Sequence, residues 1–288
     1  MEKVRPADLV RGADAVKSLP SIYHRMREVV DHPHSSVEDV ARVVTEDPNL
    51  TVRLLGLVNS AFFGFPEKID TISRAVTIVG TQQLCDLTLS VAVVRLFNEI
   101  PQELVDMESF WRHSVACGVT SRLLAIERCE RNTEQFFIAG LLHDIGSILL
   151  YLEAPKMAKK SLLRAQRRRE PLITAERHIL GCDHAEVGLH LLETWAFPEV
   201  LQHAVGYHHE PLGTRRFPIE AATVHIADFV ANALEFGSSG ETRVPPFHAQ
   251  ARKNLGLEVQ SLRGLVEEVE GQYEEVVRAI LSREDAPT

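Results

Sequence analysis

The chain has 288 residues, of which 45% are hydrophobic and 25% are charged. This length and apolar content suffice for one large domain or two ordinary ones with a buried core. Its 31 Lys and Arg residues against 40 Asp and Glu residues give a net charge of −9. Such an acidic balance argues against a role in binding duplex DNA, which is driven by neutralisation of phosphates.

Membrane and secretion signals are not evident in the sequence. No continuous apolar stretch reaches the roughly 18 residues of a membrane span, and the start Met-Glu-Lys-Val lacks the core of a signal peptide. The four cysteines have neither zinc-finger nor redox spacing. We therefore expect a cytoplasmic protein with reduced thiols and no membrane contact.

The dominant periodicity of the chain is helical. Ser36 and Asp39 resemble a capping box ahead of apolar residues at i, i+3, i+4 and i+7. Asp47 and Pro48 are typical of a second helix start, with an acidic N-cap followed by proline. Together with the later periodic segments, they predict helices over 19–31, 37–44, 48–64, 73–98, 108–129, 133–143, 155–169, 171–180, 184–195, 198–209, 218–235 and 259–282.

Strand patterns are not found along the chain. No segment of five or more residues alternates apolar and polar side chains between hairpin turns. We therefore predict an all-α fold, a multi-helix bundle. The Gly-, Ser- and Pro-rich stretch 236–247 indicates a surface loop ahead of the last helix.

Histidine is concentrated in the middle of the chain. Nine of the 13 histidines fall between His113 and His225, where an even spread would place about five. The sharpest local feature is His143-Asp144 at the end of an apolar helix. Both side chains can reach one point only beside the helix end, and Gly146 is expected to let the chain turn away there. A buried Asp144 in such surroundings needs a compensating cation.

Further candidate ligands lie on other helices or at their ends. The full candidate set is His113, His143, Asp144, His184, His208, His209 and Asp228. Nitrogen and oxygen donors of this kind suit one or two divalent transition-metal ions, with Fe or Mn favoured and Ni or Zn allowed. Asp144 has two carboxylate oxygens and is able to bridge two ions. The alternative is that each histidine is a structural residue that forms hydrogen bonds and binds no metal.

A resemblance to a known family is carried by two sets of motifs. Asp47-Pro48-Asn49-Leu50, Leu54-Leu55 and Asn59-Ser60-Ala61-Phe62-Phe63-Gly64 are similar to the "DP-x-L…LL…NSA-x-x-G" stretch of HDOD domains. The histidine-rich part follows the order H…HD…H…HH…D. Over about residues 12–235 the chain thus resembles the HDOD branch of the HD superfamily of metal-dependent phosphohydrolases.

This resemblance implies an organisation of the chain and a ligand set. It implies an N-terminal helical part of the HDOD module over 1–105, an HD-like metal-binding helical core over 106–235, and a linker with a C-terminal helix over 236–288. Carried over from the related HD-GYP enzymes, which hydrolyse cyclic dinucleotides, one ion would be held by His113, His143 and Asp228. A second ion would be held by His184, His208 and His209, with Asp144 shared between the two.

Two departures from the HD-GYP pattern argue against efficient catalysis. The lysine of its HD-x-G-K motif is replaced by Ser147, and only fragments of its D-G-x-G-Y-P element occur over 210–218. Arg215 and Arg216 in that segment are candidates for phosphate contact, although a loop arginine is usually just solvated. Ser109 stands where a trinuclear variant would carry a carboxylate, so we expect two ions at most.

Three functional hypotheses follow. The first is a bacterial signalling or regulatory protein with a mono- or dinuclear His/Asp metal site and weak or no catalysis, acting on a signalling protein partner. The second is a metal-dependent phosphohydrolase acting on a nucleotide or cyclic dinucleotide, with Asp144 as the catalytic, metal-bridging residue. The third is a metal-free cluster of hydrogen-bonded histidines. The last helix is able either to cap the bundle or to form a homodimer.

Overall fold

The structure is a computed structural model that describes residues 3–13, 21–97, 104–258 and 261–281. These residues form helices, turns and loops without a strand, which confirms the predicted all-α class. The helices are α1 (Pro6–Gly12), α2 (Ser21–Asp31), α3 (Val37–Thr45), α4 (Pro48–Val58), α5 (Ile72–Val79), α6 (Thr81–Phe97), α7 (Met107–Glu127), α8 (Thr133–Leu142), α9 (Ile145–Glu153), α10 (Pro155–Arg168), α11 (Leu172–Ile179), α12 (His184–Thr194), α13 (Glu199–Gly206), α14 (Pro218–Ala233), α15 (Ala249–Asn254) and α16 (Ser261–Leu281). Predicted helix residues 19–20, 98, 259–260 and 282 lie outside the described residues.

The chain forms two compact units, each discontinuous in sequence. Unit 1 comprises Met1–Ser18 and Ile100–Glu267, and unit 2 comprises Leu19–Glu99 and Glu268–Thr288. Helix α1 belongs to unit 1 because it packs against α9 and α12. Helix packing, and not chain order, therefore decides which helices share a core.

The end of α16 belongs to unit 2 through contacts with α4 and the turn that follows it. The guanidinium of Arg53 donates a hydrogen bond to the carbonyl of Ile280. The backbone amide of Ala61 donates to the carboxylate of Glu275 over 2.6 Å. Both contacts link residues more than two hundred positions apart, which no local pattern predicts.

Unit 2 begins its helices at the caps predicted from the sequence. The Ser36 hydroxyl accepts a hydrogen bond from the Asp39 amide, and the Asp39 carboxylate accepts one from the Ser36 amide, which completes the capping box. The predicted single helix over 73–98 is wrong. Gly80 takes φ +103° between α5 and α6, and the chain bends there by 119°. Glycine adopts this backbone conformation readily. The apolar residues therefore keep a helical spacing on both sides of Gly80 although the chain turns sharply there.

Close backbone packing positions the helices of unit 1. A side chain at Gly140 of α8 would overlap the backbone of Cys117 on α7. A side chain at Gly146 of α9 would overlap the backbone of His184 and Gly188 on α12. The prediction that Gly146 lets the chain turn away is wrong, because the chain continues directly into α9. Gly146 instead allows two helix backbones to approach each other.

Apolar stretches of the fold are buried in its cores. The stretch Thr133–Glu153 is long and apolar enough to cross a membrane, but 89% of its 18-residue apolar part is buried inside the fold. The pair α5 and α6 passes the same test only if the two bent helices are taken together. A buried core helix has the same composition, so these stretches are explained by packing.

Two further details of unit 1 differ from the sequence prediction. Helix α13 ends at Gly206, so His208 and His209 follow the helix instead of lying within it. Helices α1, α9 and α15 were not predicted. The loop predicted over 236–247 is confirmed, because no residue in that stretch is helical.

Candidate metal centre

All seven predicted ligands converge in unit 1. His113 lies within α7, His143 caps the end of α8 and Asp144 caps the start of α9. His184 is the first residue of α12, the pair His208 and His209 follows α13, and Asp228 lies within α14. Six of the seven are buried, and His209 is partly exposed. Six helices thus supply donors to one point, which sequence order alone does not reveal.

The first group of donors comprises His113, Cys117, His143 and Asp228. One donor atom from each lies within 4.8 Å of all the others. Oδ1 of Asp228 is 3.2 Å from Nε2 of His113 and 3.7 Å from Nε2 of His143. Three of these four residues form the predicted first ligand set, and Cys117 is an addition from the structure.

The second group comprises His184, His208 and His209. Its three nitrogen donors also lie within 4.8 Å of one another. Nε2 of His184 is 2.8 Å from Nε2 of His209. This arrangement brings together the three residues of the predicted second set.

Asp144 lies between the two groups and faces each with a different oxygen. Its Oδ2 is 3.2 Å from Nε2 of His143 and 3.9 Å from Nε2 of His113. Its Oδ1 is 3.2 Å from Nε2 of His184 and 3.7 Å from Nε2 of His208. A carboxylate placed in this way is suited to bridge two cations.

Hydrogen bonds fix the orientation of three of the imidazoles. Nδ1 of His143 donates to the carbonyl of Gly140 over 2.7 Å, and Nδ1 of His208 donates to the carbonyl of Val205 over 2.6 Å. Nδ1 of His184 donates to the carboxylate of Glu176 over 2.6 Å. A carbonyl or carboxylate only accepts, so in each neutral ring the proton is on Nδ1 and Nε2 carries a lone pair.

In the neutral rings these three lone pairs point into the cluster, toward carboxylate oxygens that also only accept. Nε2 of His143 and Nε2 of His184 face the oxygens of Asp144. Nε2 of His208 is buried and has no hydrogen-bond partner within the described parts of the chain. Acceptors that face acceptors in a buried site need a positive charge between them. The donor set therefore fits a metal cation.

The pKa values of the histidines in the cluster reflect the negative groups around them. Burial disfavours the protonated form of His113, but Cys117 and Asp228 outweigh it and raise the pKa of His113 to about 10. In the same way, Glu176 and Asp144 overcome the effect of burial and raise the pKa of His184 to about 10. Burial and the neighbouring His143 lower the pKa of His208 to about 4.

The two carboxyl groups are held in the ionised form. Burial acts to raise the pKa of Asp144, but His143 and His184 hold it well below its usual range. Burial likewise acts to raise the pKa of Asp228, and hydrogen bonds with His113 and His143 hold it well below its usual range. Two buried negative charges thus share one small volume with five imidazoles.

Sequence reasoning missed three residues of this site. Cys117 lies four residues after His113 on α7, a spacing that places both on one helix face and was available as a signal. Glu176 on α11 holds His184, and the side-chain amide of Asn232 donates to Oδ1 of Asp228 over 2.7 Å. Neither of these two carries a local motif. Carboxylates or carbonyls behind ligating histidines are the usual supports of metal ligands.

The structure also places the other residues considered in the sequence. Ser147 is buried on α9. The hydroxyl oxygen of Ser109 accepts a hydrogen bond from the backbone amide of Ser238 over 3.0 Å. Arg216 forms an ion pair with Glu199. A thiol just ahead of α12, Cys182, belongs to neither donor group, and burial raises its pKa to about 12.

A small pocket reaches the second group from the surface. Its volume is about 160 Å³, and Arg177, Tyr207, His209 and Glu210 are among its lining residues. His209 is the member of the second group that lines this pocket. The pocket therefore provides a path by which an ion or a small ligand can approach the cluster.

Comparison with known proteins places the chain in a family. The HDOD domain model matches residues 16–211, and the chain therefore belongs to the HDOD family. A protein of Treponema pallidum (strain Nichols) described as uncharacterized is 26% identical over 269 residues, which cover 91% of this chain and 52% of that protein. The chain thus spans about half the length of that curated relative.

Solved structures share the fold. A protein of Shewanella amazonensis SB2B, provisionally named a phosphohydrolase, is 27% identical with a TM-score of 0.73, and the alignment covers 94% of this chain and 97% of that one. An HDOD domain protein of unknown function from Geobacter sulfurreducens is 24% identical with a TM-score of 0.76, covering 96% and 97%. Both similarities extend over nearly the whole chain.

Proposed function

We propose that the protein is a bacterial signalling or regulatory HDOD protein whose His/Asp cluster binds one or two divalent transition-metal ions, with weak or no catalysis. One observation carries the metal proposal: three imidazoles, fixed by hydrogen bonds at Nδ1, direct their Nε2 atoms toward two buried carboxylates. In the proposal, a cation replaces the protons that these groups otherwise need. Fe and Mn are the favoured ions, with Ni or Zn allowed by the same donors.

Weak or absent catalysis is proposed from the groups around the cluster. Ser147 occupies the position of the substrate-binding lysine of HD-GYP enzymes, and a buried serine offers no positive charge to a phosphate. Arg177 lines the pocket beside His209, but its guanidinium is paired with Asp183 over 2.6 Å and with Glu210 over 2.5 Å. A phosphate in this pocket would have to compete with two carboxylates.

The wider role is proposed at the level of class. We propose that the protein acts in the cytoplasm with a protein partner in a signalling pathway. A nucleotide ligand is part of the same proposal. The acidic net charge of −9 supports the exclusion of duplex DNA as a partner. A homodimer is also part of this proposal.

Elemental analysis tests the metal proposal directly. Protein prepared without chelator is expected to contain at least one equivalent of a transition metal. Asp144→Ala removes the carboxylate that faces both donor groups and is expected to lower the metal content at both. Asp70→Ala, at an exposed position in unit 2, is the matched control and is expected to leave it unchanged. Protein that stays metal-free after incubation with Fe(II), Mn(II) and Zn(II) would refute the proposal.

The alternative is a metal-dependent phosphohydrolase acting on a nucleotide or a cyclic dinucleotide. Its support is the complete set of seven ligands and the 27% identity to the Shewanella protein provisionally named a phosphohydrolase. A panel of cyclic dinucleotides, nucleotides and simple phosphodiesters with added Mn(II) or Fe(II) separates the two functions. Turnover that disappears in Asp144→Ala and persists in Asp70→Ala would establish the enzyme. Metal-loaded protein without turnover supports the regulatory proposal.

A further inference from the structure

We infer that Cys117 is a thiolate ligand that completes a four-donor metal site with His113, His143 and Asp228. This inference rests on the proposed metal binding and specifies one half of it. Sγ of Cys117 lies 3.6 Å from Nε2 of His113 and 4.0 Å from Nε2 of His143. The thiol therefore faces the same two nitrogens that Asp228 faces from α14.

The distances among these donors match those around a tetrahedral ion. Bond lengths of about 2.0 Å to nitrogen and oxygen and about 2.3 Å to sulfur give N···O separations of about 3.3 Å and N···S separations of about 3.5 Å. The observed N···O separations from Asp228 are 3.2 and 3.7 Å, and the observed N···S separations are 3.6 and 4.0 Å. These four separations differ from the expected values by at most about half an ångström.

Helix packing holds the thiol in this position. Cys117 lies one turn after His113 on α7, and both are fully buried. Gly140 allows the backbone of α8 to contact the carbonyl of Cys117, which brings His143 at the end of α8 beside the sulfur. The sulfur is therefore fixed by two helices and is not a mobile surface thiol.

The charge and softness of the donors specify the ion. The thiolate of Cys117 and the carboxylate of Asp228 with two neutral imidazoles carry a charge of −2, which balances a divalent cation, and Asp144 adds a further negative charge that is shared with the second group. A sulfur donor favours Zn(II), Fe(II) or Co(II) over Mn(II) and Mg(II). Structural metal sites are closed by four protein donors, whereas catalytic sites keep a position for water. The thiolate therefore also provides a reason for weak catalysis.

Cobalt substitution of the full chain tests this inference. Co(II)-loaded protein is expected to show a near-ultraviolet sulfur-to-cobalt charge-transfer band in addition to visible d–d bands. Cys117→Ser is expected to lose the charge-transfer band and to bind Co(II) at this site at least about tenfold more weakly. Cys182→Ser, a buried thiol outside both donor groups, is the matched control and is expected to keep the band.

X-ray absorption of the unmodified zinc- or cobalt-loaded protein gives a test that needs no variant. One sulfur neighbour at about 2.3 Å per ion in this group is expected in addition to nitrogen and oxygen neighbours, which is an average of about half a sulfur per metal when both groups are filled. Bound metal without a sulfur neighbour overturns the role of Cys117 and leaves the proposed metal binding intact. Failure to bind any metal overturns both.

Discussion

Glu176 and His184 form a buried pair in which one carboxylate oxygen accepts two hydrogen bonds. It lies 2.6 Å from Nδ1 of the imidazole and 3.0 Å from the backbone nitrogen of His184. Glu176 therefore orients both the ring and the first residue of α12. The lone pair on Nε2 faces Asp144 as a consequence.

Replacing Glu176 tests this orientation. Glu176→Gln keeps the size of the side chain, but it removes the negative charge and supplies an N–H that can face Nδ1. We expect metal affinity at the second group to fall about 10–100-fold, the usual effect of losing the support of a ligating histidine. Competition titration with a chromophoric chelator measures it. Glu193→Gln, at an exposed position on α12, is the control, and equal affinities in the two variants would contradict the role of Glu176.

Metal binding is expected to release protons. In the metal-free protein His113 and His184 have pKa values of about 10, raised from 6.5, so both are protonated at about pH 8. A bound ion needs them unprotonated, so apparent affinity should rise with pH up to about 10, by about tenfold per pH unit for each proton displaced. Calorimetric titration in buffers of different ionisation enthalpy counts the protons. Affinity that is independent of pH between about 7 and 9 would contradict this electrostatic account.

Helices α9 and α12 lie too close together at Gly146 to accommodate a side chain there. Gly146→Ala places a methyl group against the backbone of His184 and Gly188. We expect the free energy of unfolding to fall by about 1–3 kcal/mol. Denaturant unfolding measures it. Gly264→Ala, where the added methyl meets open space, is the control and should be neutral or slightly stabilising.

The side chain of Asn59 in unit 2 links the end of α4 to the loop that leads to α5 by hydrogen bonds. It donates 2.7 Å hydrogen bonds to the carbonyls of Leu55 and Ile69 and accepts one of 2.7 Å from the Ile69 amide. Asn59→Ala should cost about 1–2 kcal/mol and accelerate hydrogen exchange at Ile69. Asn49→Ala, on the exposed side of α4, should change neither. An unchanged exchange rate at Ile69 would show that the loop holds without these hydrogen bonds.

Helix starts were predictable because their signals are local. The caps at Ser36 and Asp47 and the proline at position 48 satisfy backbone groups within one turn, so they do not depend on the rest of the fold. The corner at Gly80 was not predictable from apolar periodicity, because the period is the same in one helix and in two helices joined by one residue. The role of Gly146 was missed because its contact, α12, lies some forty residues away in the chain.

By itself, the sequence predicted the helical class and the caps, because both depend on residue type and short-range spacing, and its resemblance to HDOD and HD-GYP motifs predicted seven candidate donors. Only the tertiary structure decided that each oxygen of Asp144 faces a different imidazole group, that Glu176 supports His184 and that the thiol of Cys117 lies beside His113 and His143. These relationships are distances between helices. They are set by how closely the helix backbones pack, and that packing is decided by the core as a whole.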